Sequence, residues 1–286
     1  MELGSAKYKN KKCVLTTMHS KESVIAPAFL KNLGMVVEVA SCNTDLLGTF
    51  SGEIERTGKP FEVAEKKARM GMSLNKLPYG IANEGSFGPH PFIPFITGNT
   101  EILIFIDDEI GLKIHETKFT AETNFSHACL SSLDETEEFL KNVQFPSHGI
   151  IVRANQWQKN QKIFKGINNL SGLEEAFLAS KKDSVDGKVW LESDMRAHMN
   201  PTRMKFIREL AEKLSSRLAK SCPSCKSPGF GMVGMEAGLI CEYCGSPTEM
   251  IKNDIYGCTI CDYKEFHEHD PNTKFAQPFY CQICNP

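Results

Sequence analysis

The chain has 286 residues, enough for one large or two modest domains. Hydrophobic residues make up 41% and charged residues 24%, which excludes a disordered chain, and a formal net charge of −2 excludes a generally cationic nucleic-acid binder. The first residues are polar and lysine-rich, and no apolar run approaches the ~18 residues that span a bilayer, so a soluble cytoplasmic protein is expected.

In chain order, Cys13–Thr17 is a short apolar run. Ser20 can cap a helix from Lys21 to about Leu33, stopped by Gly34, with Pro27 inside it. Met35–Ala40 is a β-branched run. Pro60 reads as the first residue of a helix with Phe61, Ala64 and Ala68 on one face. Tyr79–Ala82 reads as a strand leading into a glycine-rich turn. Glu101–Ile106 and Gly111–Thr117 form a hairpin. Ser132 caps a helix through Val143, Gly149–Arg153 is a strand, Ser171 starts a helix to Lys181, and Lys188–Leu191 is a strand. The polar, lysine-rich stretch 154–186 reads in part as a surface insertion. From Asn200-Pro201 runs the clearest helix, with Met204, Ile207, Ala211, Leu214 and Leu218 as one apolar stripe. The pattern is α/β, about seven strands with interleaved helices over residues 1–221. A second unit, 222–286, begins where the composition shifts.

That second unit holds eight of the eleven cysteines, as Cys222/Cys225, Cys241/Cys244, Cys258/Cys261 and Cys281/Cys284. Two Cys-x-x-Cys turns complete a tetrahedron of thiolates around Zn²⁺, so two structural Zn²⁺ ions are expected. The alternative, a redox dithiol, fits poorly with four pairs in a segment too poor in apolar residues to fold alone. Sequential and nested pairings are both open. The compact stretch Cys241–Cys261 resembles a zinc ribbon and makes nested pairing the expectation. His267 and His269 are expected on the surface. Residues 222–286 carry four Lys, no Arg and eight Asp or Glu, a net of −4, the wrong sign for phosphate contacts. Nucleic acid is therefore not expected on this tail, and a lid, a homodimer contact or a protein-docking role is. The remaining Cys13, Cys42 and Cys129 read as ordinary residues, core rather than reactive.

Two stretches concentrate polar residues and glycine near strand ends, Gly48–Ala68 and Gly80–Pro91. A carboxylate at Glu84 there could hold Mg²⁺ or activate water, and Ser86 lies beside it. A third cluster, Glu192-Ser-Asp194-Met-Arg196-Ala-His198-Met-Asn200-Pro-Thr-Arg203, joins a strand end to a helix N-terminus, a favoured anion site. Asp194, Arg196, His198, Asn200 and Arg203 are its candidate binding groups, with Asn200 as helix cap the plainer reading. His198 is a candidate base, and His90 and His148 are secondary candidates in exposed-looking loops.

The order of these motifs resembles the inosine triphosphate pyrophosphatase and Maf-like superfamily. Thr16-Thr17-Met18-His19-Ser20-Lys21 looks like its opening motif. Glu55, Gly58, Phe61 and Ala64-Glu65-Lys66-Lys67-Ala68 look like its helix motif. Ala82-Asn83-Glu84-Gly85-Ser86 occupies the place of its acidic loop, and Asn200-Pro201-Thr202-Arg203 that of its last helix. Met18 and Val63 replace two asparagines of the family pattern, and Asn83-Glu84 replaces an Asp pair. The resemblance implies a pyrophosphatase-like mixed central sheet with flanking helices. It implies a nucleoside triphosphate as phosphate ligand, Mg²⁺ held by Glu55 and Glu84, with Glu53 a competitor for Glu55. Water would attack the α-phosphorus and release pyrophosphate. Lys21 and Lys67 would neutralise charge, with Thr16 nearby and Arg203 on the base or a phosphate. A non-catalytic nucleotide- or RNA-binding protein and a zinc-module adaptor are the competing readings. Separately, the Glu84–Pro91 core and the cysteine tail are similar to an uncharacterised bacterial protein family.

Overall fold

The computed structural model describes residues 3–40, 42, 58–89, 95, 97–158 and 161–286. Among them the chain forms a mixed α/β fold with three sheets. The first has the order β2-β1-β3-β4-β5, from β1 (Lys12–Thr16), β2 (Val36–Ala40), β3 (Tyr79–Pro89), β4 (Thr97–Asp107) and β5 (Leu112–Thr120). β1 runs parallel to both β2 and β3, while β3, β4 and β5 form an antiparallel meander.

Side-chain alternation along β3 and β4 gives each face of this sheet its own core. Ile81, Leu103 and Phe105 pack against α2 (Glu22–Leu33) and α6 (Pro201–Ala219), with Tyr8 of α1 (Leu3–Tyr8) sealing the same cluster. Ala82, Ile104 and Ile106 pack on the opposite face against Ala64, Ala68 and Met72 of α3 (Pro60–Asn75). The apolar stripe expected on α6 packs in the first of these two cores, and Pro60 occupies the first turn of α3. Gly34 ends α2 in the left-handed conformation at φ 64°. Ser20, itself at φ 54°, does not cap α2; Lys21 holds the N-cap position.

The second sheet, β6-β9-β7-β8, is antiparallel throughout, from β6 (His127–Leu130), β7 (Ile150–Ala154), β8 (Ile163–Ile167) and β9 (Val189–Ser193). α4 (Glu137–Asn142) and α5 (Leu170–Asp183) supply Phe139, Leu173, Ala176 and Phe177 to its core. The stretch read as an insertion therefore contributes β8 and α5, and nine strands rather than seven precede the cysteine segment among the described residues. The third sheet, β10 (Gly231–Ala237), β11 (Ile251–Gly257) and β12 (Lys264–Glu268), belongs to that segment. No helix among the described residues is long and apolar enough to cross a membrane.

The largest local correction concerns β3. The strand does not stop at Ala82 before a glycine-rich turn; it runs to Pro89, paired residue for residue with β4. Gly85 is small for a packing reason. A Cβ there would lie 2.4 Å from a guanidinium nitrogen of Arg203 and 2.5 Å from a carboxylate oxygen of Glu101. Of the three other cysteines, Cys13 is buried, Cys42 half-buried and Cys129 exposed on β6, so Cys129 is not a core residue.

Candidate functional site

The eight thiols gather into two tetrads, Cys222/Cys225/Cys258/Cys261 and Cys241/Cys244/Cys281/Cys284, and within each the sulfurs all lie within 4.8 Å of one another. The first and third Cys-x-x-Cys pairs thus share one centre, and the second and fourth share the other. This interleaved arrangement replaces both the nested and the sequential pairing. Closest sulfur pairs are Cys222–Cys261 at 3.8 Å, Cys225–Cys258 at 3.6 Å, Cys241–Cys284 at 3.9 Å and Cys244–Cys281 at 3.6 Å. A tetrahedron with metal–sulfur bonds of about 2.3 Å has edges of about 3.8 Å, so the donor set fits a four-thiolate metal centre.

Local turns aim the sulfurs. In the first knuckle, Lys226 N–H donates to the Cys222 carbonyl and Cys222 N–H to that of Ser227. In the second knuckle, between β10 and β11, Gly245 N–H donates to the Cys241 carbonyl and Cys241 N–H to that of Ser246. Both turns need a left-handed residue after the second cysteine, supplied by Gly245 at φ 73° and, less comfortably, by Lys226 at φ 63°. Hydrogen bonds from Ser227 and Ser246 pull the Cys225 and Cys244 thiols down to about 6, which favours the thiolate a metal requires. His267 and His269 are exposed and pair with Glu265 and Asp254, outside both tetrads. The module docks directly on α6: Gly229 and Phe230 N–H donate to the Lys220 carbonyl, and Arg217 Nε donates to that of Gly229.

A second polar centre lies where β1 ends. β1 pairs with β3 only as far as Thr16↔Ala82, and the Lys21 ammonium reaches the Asn83 carbonyl just beyond, at 3.2 Å. On the α3 face of β3, Lys67 Nζ sits 2.6 Å from Glu84 Oε2, with the side chains 12% and 4% exposed. On the opposite face, Arg203 Nε donates to Glu101 Oε1 at 2.7 Å, and Asn83 and Asn99 each donate an amide hydrogen to Glu101. Alternation puts Glu84 and Glu101 on different sides of the sheet, and Lys21 bridges them at its open edge. Burial pushes the Lys21 ammonium down to about 7; Arg203 adds to this, and Glu101 and Glu84 oppose it. Burial raises the Glu101 carboxyl, but Arg203, Lys21 and Asn83 together outweigh it, and the net shift is downward. Asn83 Oδ1 and Asn99 Oδ1, both buried, have no hydrogen-bond partner.

Lys21, Lys67 and Glu84 therefore lie together beyond the end of β1. Thr16 is buried with its hydroxyl packed at the Gly71 backbone of α3, and Ser86 is half-buried two residues beyond Glu84 on the same face. Arg203 is 2% exposed, bonded to Glu101 and to the Met195 carbonyl, and its guanidinium lies over Phe87 at 5.5 Å. Asp194 forms a two-pronged pair with Arg196 and accepts from Gly166 N–H. Asn200 caps α6 by accepting from Arg203 N–H, the plainer of the two roles anticipated for it. His198 stacks on His19 at 5.2 Å, and burial followed by the nearby Lys21 pushes His19 down to about 3. His148 is not in an exposed loop: it is 3% exposed and bonds Thr202 and Ser147. Glu53, Glu55, His90 and all of 48–57 lie outside the described residues. Glu101 and Asn99 escaped the sequence reading; the available signal was polar residues two apart on one strand face, 99 and 101, matching 83 on the partner strand.

Among the described residues, the two cysteine tetrads are the groups of three or more His, Cys, Asp or Glu placed to share a metal; none forms around Glu84. No curated protein and no solved structure matches the chain. The likeness to the pyrophosphatase superfamily thus rests on the motifs alone. The model of one family, described as a domain of unknown function and designated DUF6671, matches residues 67–286, a span that takes in Glu84, Glu101, Arg203 and all eight tetrad cysteines. The chain belongs to the DUF6671 family.

Proposed function

We propose that the chain is a phosphoanhydride hydrolase, acting on nucleoside triphosphates to give the monophosphate and pyrophosphate, with a structural two-zinc tail. One observation carries the reading: Lys21, Lys67 and Glu84, from three separate elements, converge at the open edge of a central sheet. Desolvation of the Lys21 ammonium leaves an unmet demand for negative charge there, which a phosphate satisfies. Unpartnered Asn83 and Asn99 oxygens support a ligand or water nearby. The nucleotide class comes from the motif resemblance. Mg²⁺ enters this reading as an ion carried by the substrate's phosphates, with Glu84 the described carboxylate to hold it and charge neutralisation its contribution. Lys21 and Lys67 orient and neutralise the phosphates, Lys21 held at the start of α2 and Lys67 by the packing of α3 on the other face of the sheet. In the tail, zinc suits eight thiolates at these spacings, and closed four-sulfur sites serve structure rather than chemistry. We read residues 1–221 as the ligand-binding unit and 222–286 as the metal module of a cytoplasmic protein.

A second reading has a specific observation behind it. Asn83 stands where the resembled family has a carboxylate, and Lys67 occupies the Glu84 oxygen a metal would need. Both suit phosphate binding without hydrolysis. Pyrophosphate release from a panel of nucleoside triphosphates with Mg²⁺, on the wild type and on Glu84→Gln, separates the two. Turnover abolished by Glu84→Gln supports the hydrolase. Saturable nucleotide binding with no turnover supports the second reading, and neither binding nor turnover on any nucleotide sinks both.

A further inference from the structure

The second tetrad lies in an exposed apolar surface. Tyr243, inside one of its knuckles, is 83% exposed, and Ile283, inside the other, is 68% exposed. Phe279, Tyr280, Phe275 and Ile240 are also exposed. The tetrad's four sulfurs cluster within 4.8 Å; Tyr243, Ile283, Phe279, Tyr280 and Ile240 each lie within two positions of one of its cysteines, and Phe275 precedes Ala276, which bridges Cys241. The bridge between Cys241 and Ala276 sets Ile240 and Phe275 side by side on its margin. Next to them opens a cavity of about 400 Å³, lined by Met250 and Ile251 and by Lys252, Glu268, Asp270 and Lys274. Six large apolar side chains facing solvent around one small module exceed the scattered exposure of an ordinary surface.

Charge decides what can cover the patch. The module carries −4 by its side chains. Eight thiolates around two divalent ions bring it to −8. Near the patch, Lys274 lies 3.5 Å from Glu268 and offsets it, which leaves Glu242, Asp270 and the tetrad's own −2 against Lys252. A second copy of the same surface would meet like charge. Nucleic acid and anionic lipid carry the same sign and are repelled. The geometry points to the second tetrad's surface as a docking site for a cationic, amphipathic segment of a partner protein, one large apolar side chain entering the cavity. Such a segment buries the aromatic and aliphatic groups while its lysines or arginines face the module's net negative charge. This holds whether or not the β3 centre hydrolyses nucleotides.

The test uses the full-length, metal-loaded protein and three fluorescent peptides: an amphipathic Leu/Lys helix, the same pattern in Leu/Glu, and a Lys/Gly chain with no apolar face. The variant Phe279→Ser with Ile283→Ser removes apolar surface at constant charge, and metal content by mass spectrometry confirms that it remains folded. The Leu/Lys peptide should bind, more weakly at high salt, and lose about tenfold or more on the variant. The other two peptides should bind about tenfold or more weakly than Leu/Lys. Equal binding to wild type and variant, equal binding of Lys/Gly, or no binding at all overturns the proposal. So does light scattering that shows the protein dimerising through the patch, with the variant monomeric.

Discussion

The Arg203 guanidinium and the Glu101 carboxylate meet at 2.7 Å with side chains 1% and 0% exposed, tying the first turn of α6 to the middle of β4. A buried pair of this kind is destabilising when halved, because the surviving charge has neither water nor partner. Arg203→Met alone, or Glu101→Gln alone, should lower unfolding free energy by about 3–5 kcal/mol. The double variant Glu101→Leu with Arg203→Met should recover much of that loss. Urea unfolding of the three proteins gives the comparison, and additive losses would mean the pair does not act as a unit.

Gly85 and Gly88 lie on the same strand but in different surroundings. A methyl at Gly85 runs into Arg203 and Glu101, whereas one at Gly88 meets nothing within 4 Å. Gly85→Ala should destabilise by about 1–3 kcal/mol, with little room for relief because the obstruction is a fixed ion pair. Gly88→Ala should fall within about 0.5 kcal/mol of wild type. Thermal melts of both variants check this.

Lys21 titrates at about 7 in the folded protein, pushed down first by burial and then by Arg203. In the unfolded chain a lysine titrates near ~10.4. Between these values the unfolded state holds the extra proton, so this group's contribution makes stability rise with pH across the window. That contribution is fully present above the unfolded value and is lost as pH falls through about 7. Lys21→Met should remove the slope. The difference in melting temperature between variant and wild type should favour the variant most at neutral pH and shrink toward pH 10. An unchanging difference would contradict a desolvated ammonium.

The interleaved metal centres make a prediction that no other pairing makes. Cys241→Ser with Cys244→Ser should leave one metal per chain and free Cys281 and Cys284, not Cys258 and Cys261, for alkylation. Native mass spectrometry and thiol footprinting read both. Newly reactive Cys258 and Cys261 would restore the nested scheme.

Much of this was legible in the residues. The α6 stripe, the proline that opens α3 and the eight thiol ligands each follow from local pattern. Pairing among the knuckles was not, because every Cys-x-x-Cys turn is chemically alike and the intervening lengths of 15, 13 and 19 residues permit several closures. The course of β3 was misread because Gly85 looks like a turn former, when it is small to make room for a guanidinium arriving from more than a hundred residues away. Glu101 was hidden for the same reason: a carboxylate at the head of an apolar run reveals neither its burial nor its partner. Residues 154–186 read as an insertion since their apolar positions become a core only against β7 and β9.

The crossed ligand sets also constrain how the tail is made and how it can be altered. During synthesis the first centre stays incomplete until Cys261 has been added, by which time two cysteines of the second centre are already waiting for Cys281 and Cys284. Neither centre can be cut out as a continuous piece of chain without taking two ligands of the other: 222–261 carries Cys241 and Cys244 along, and 241–284 carries Cys258 and Cys261. Only a graft of residues 222–284 carries both centres without orphaned thiols.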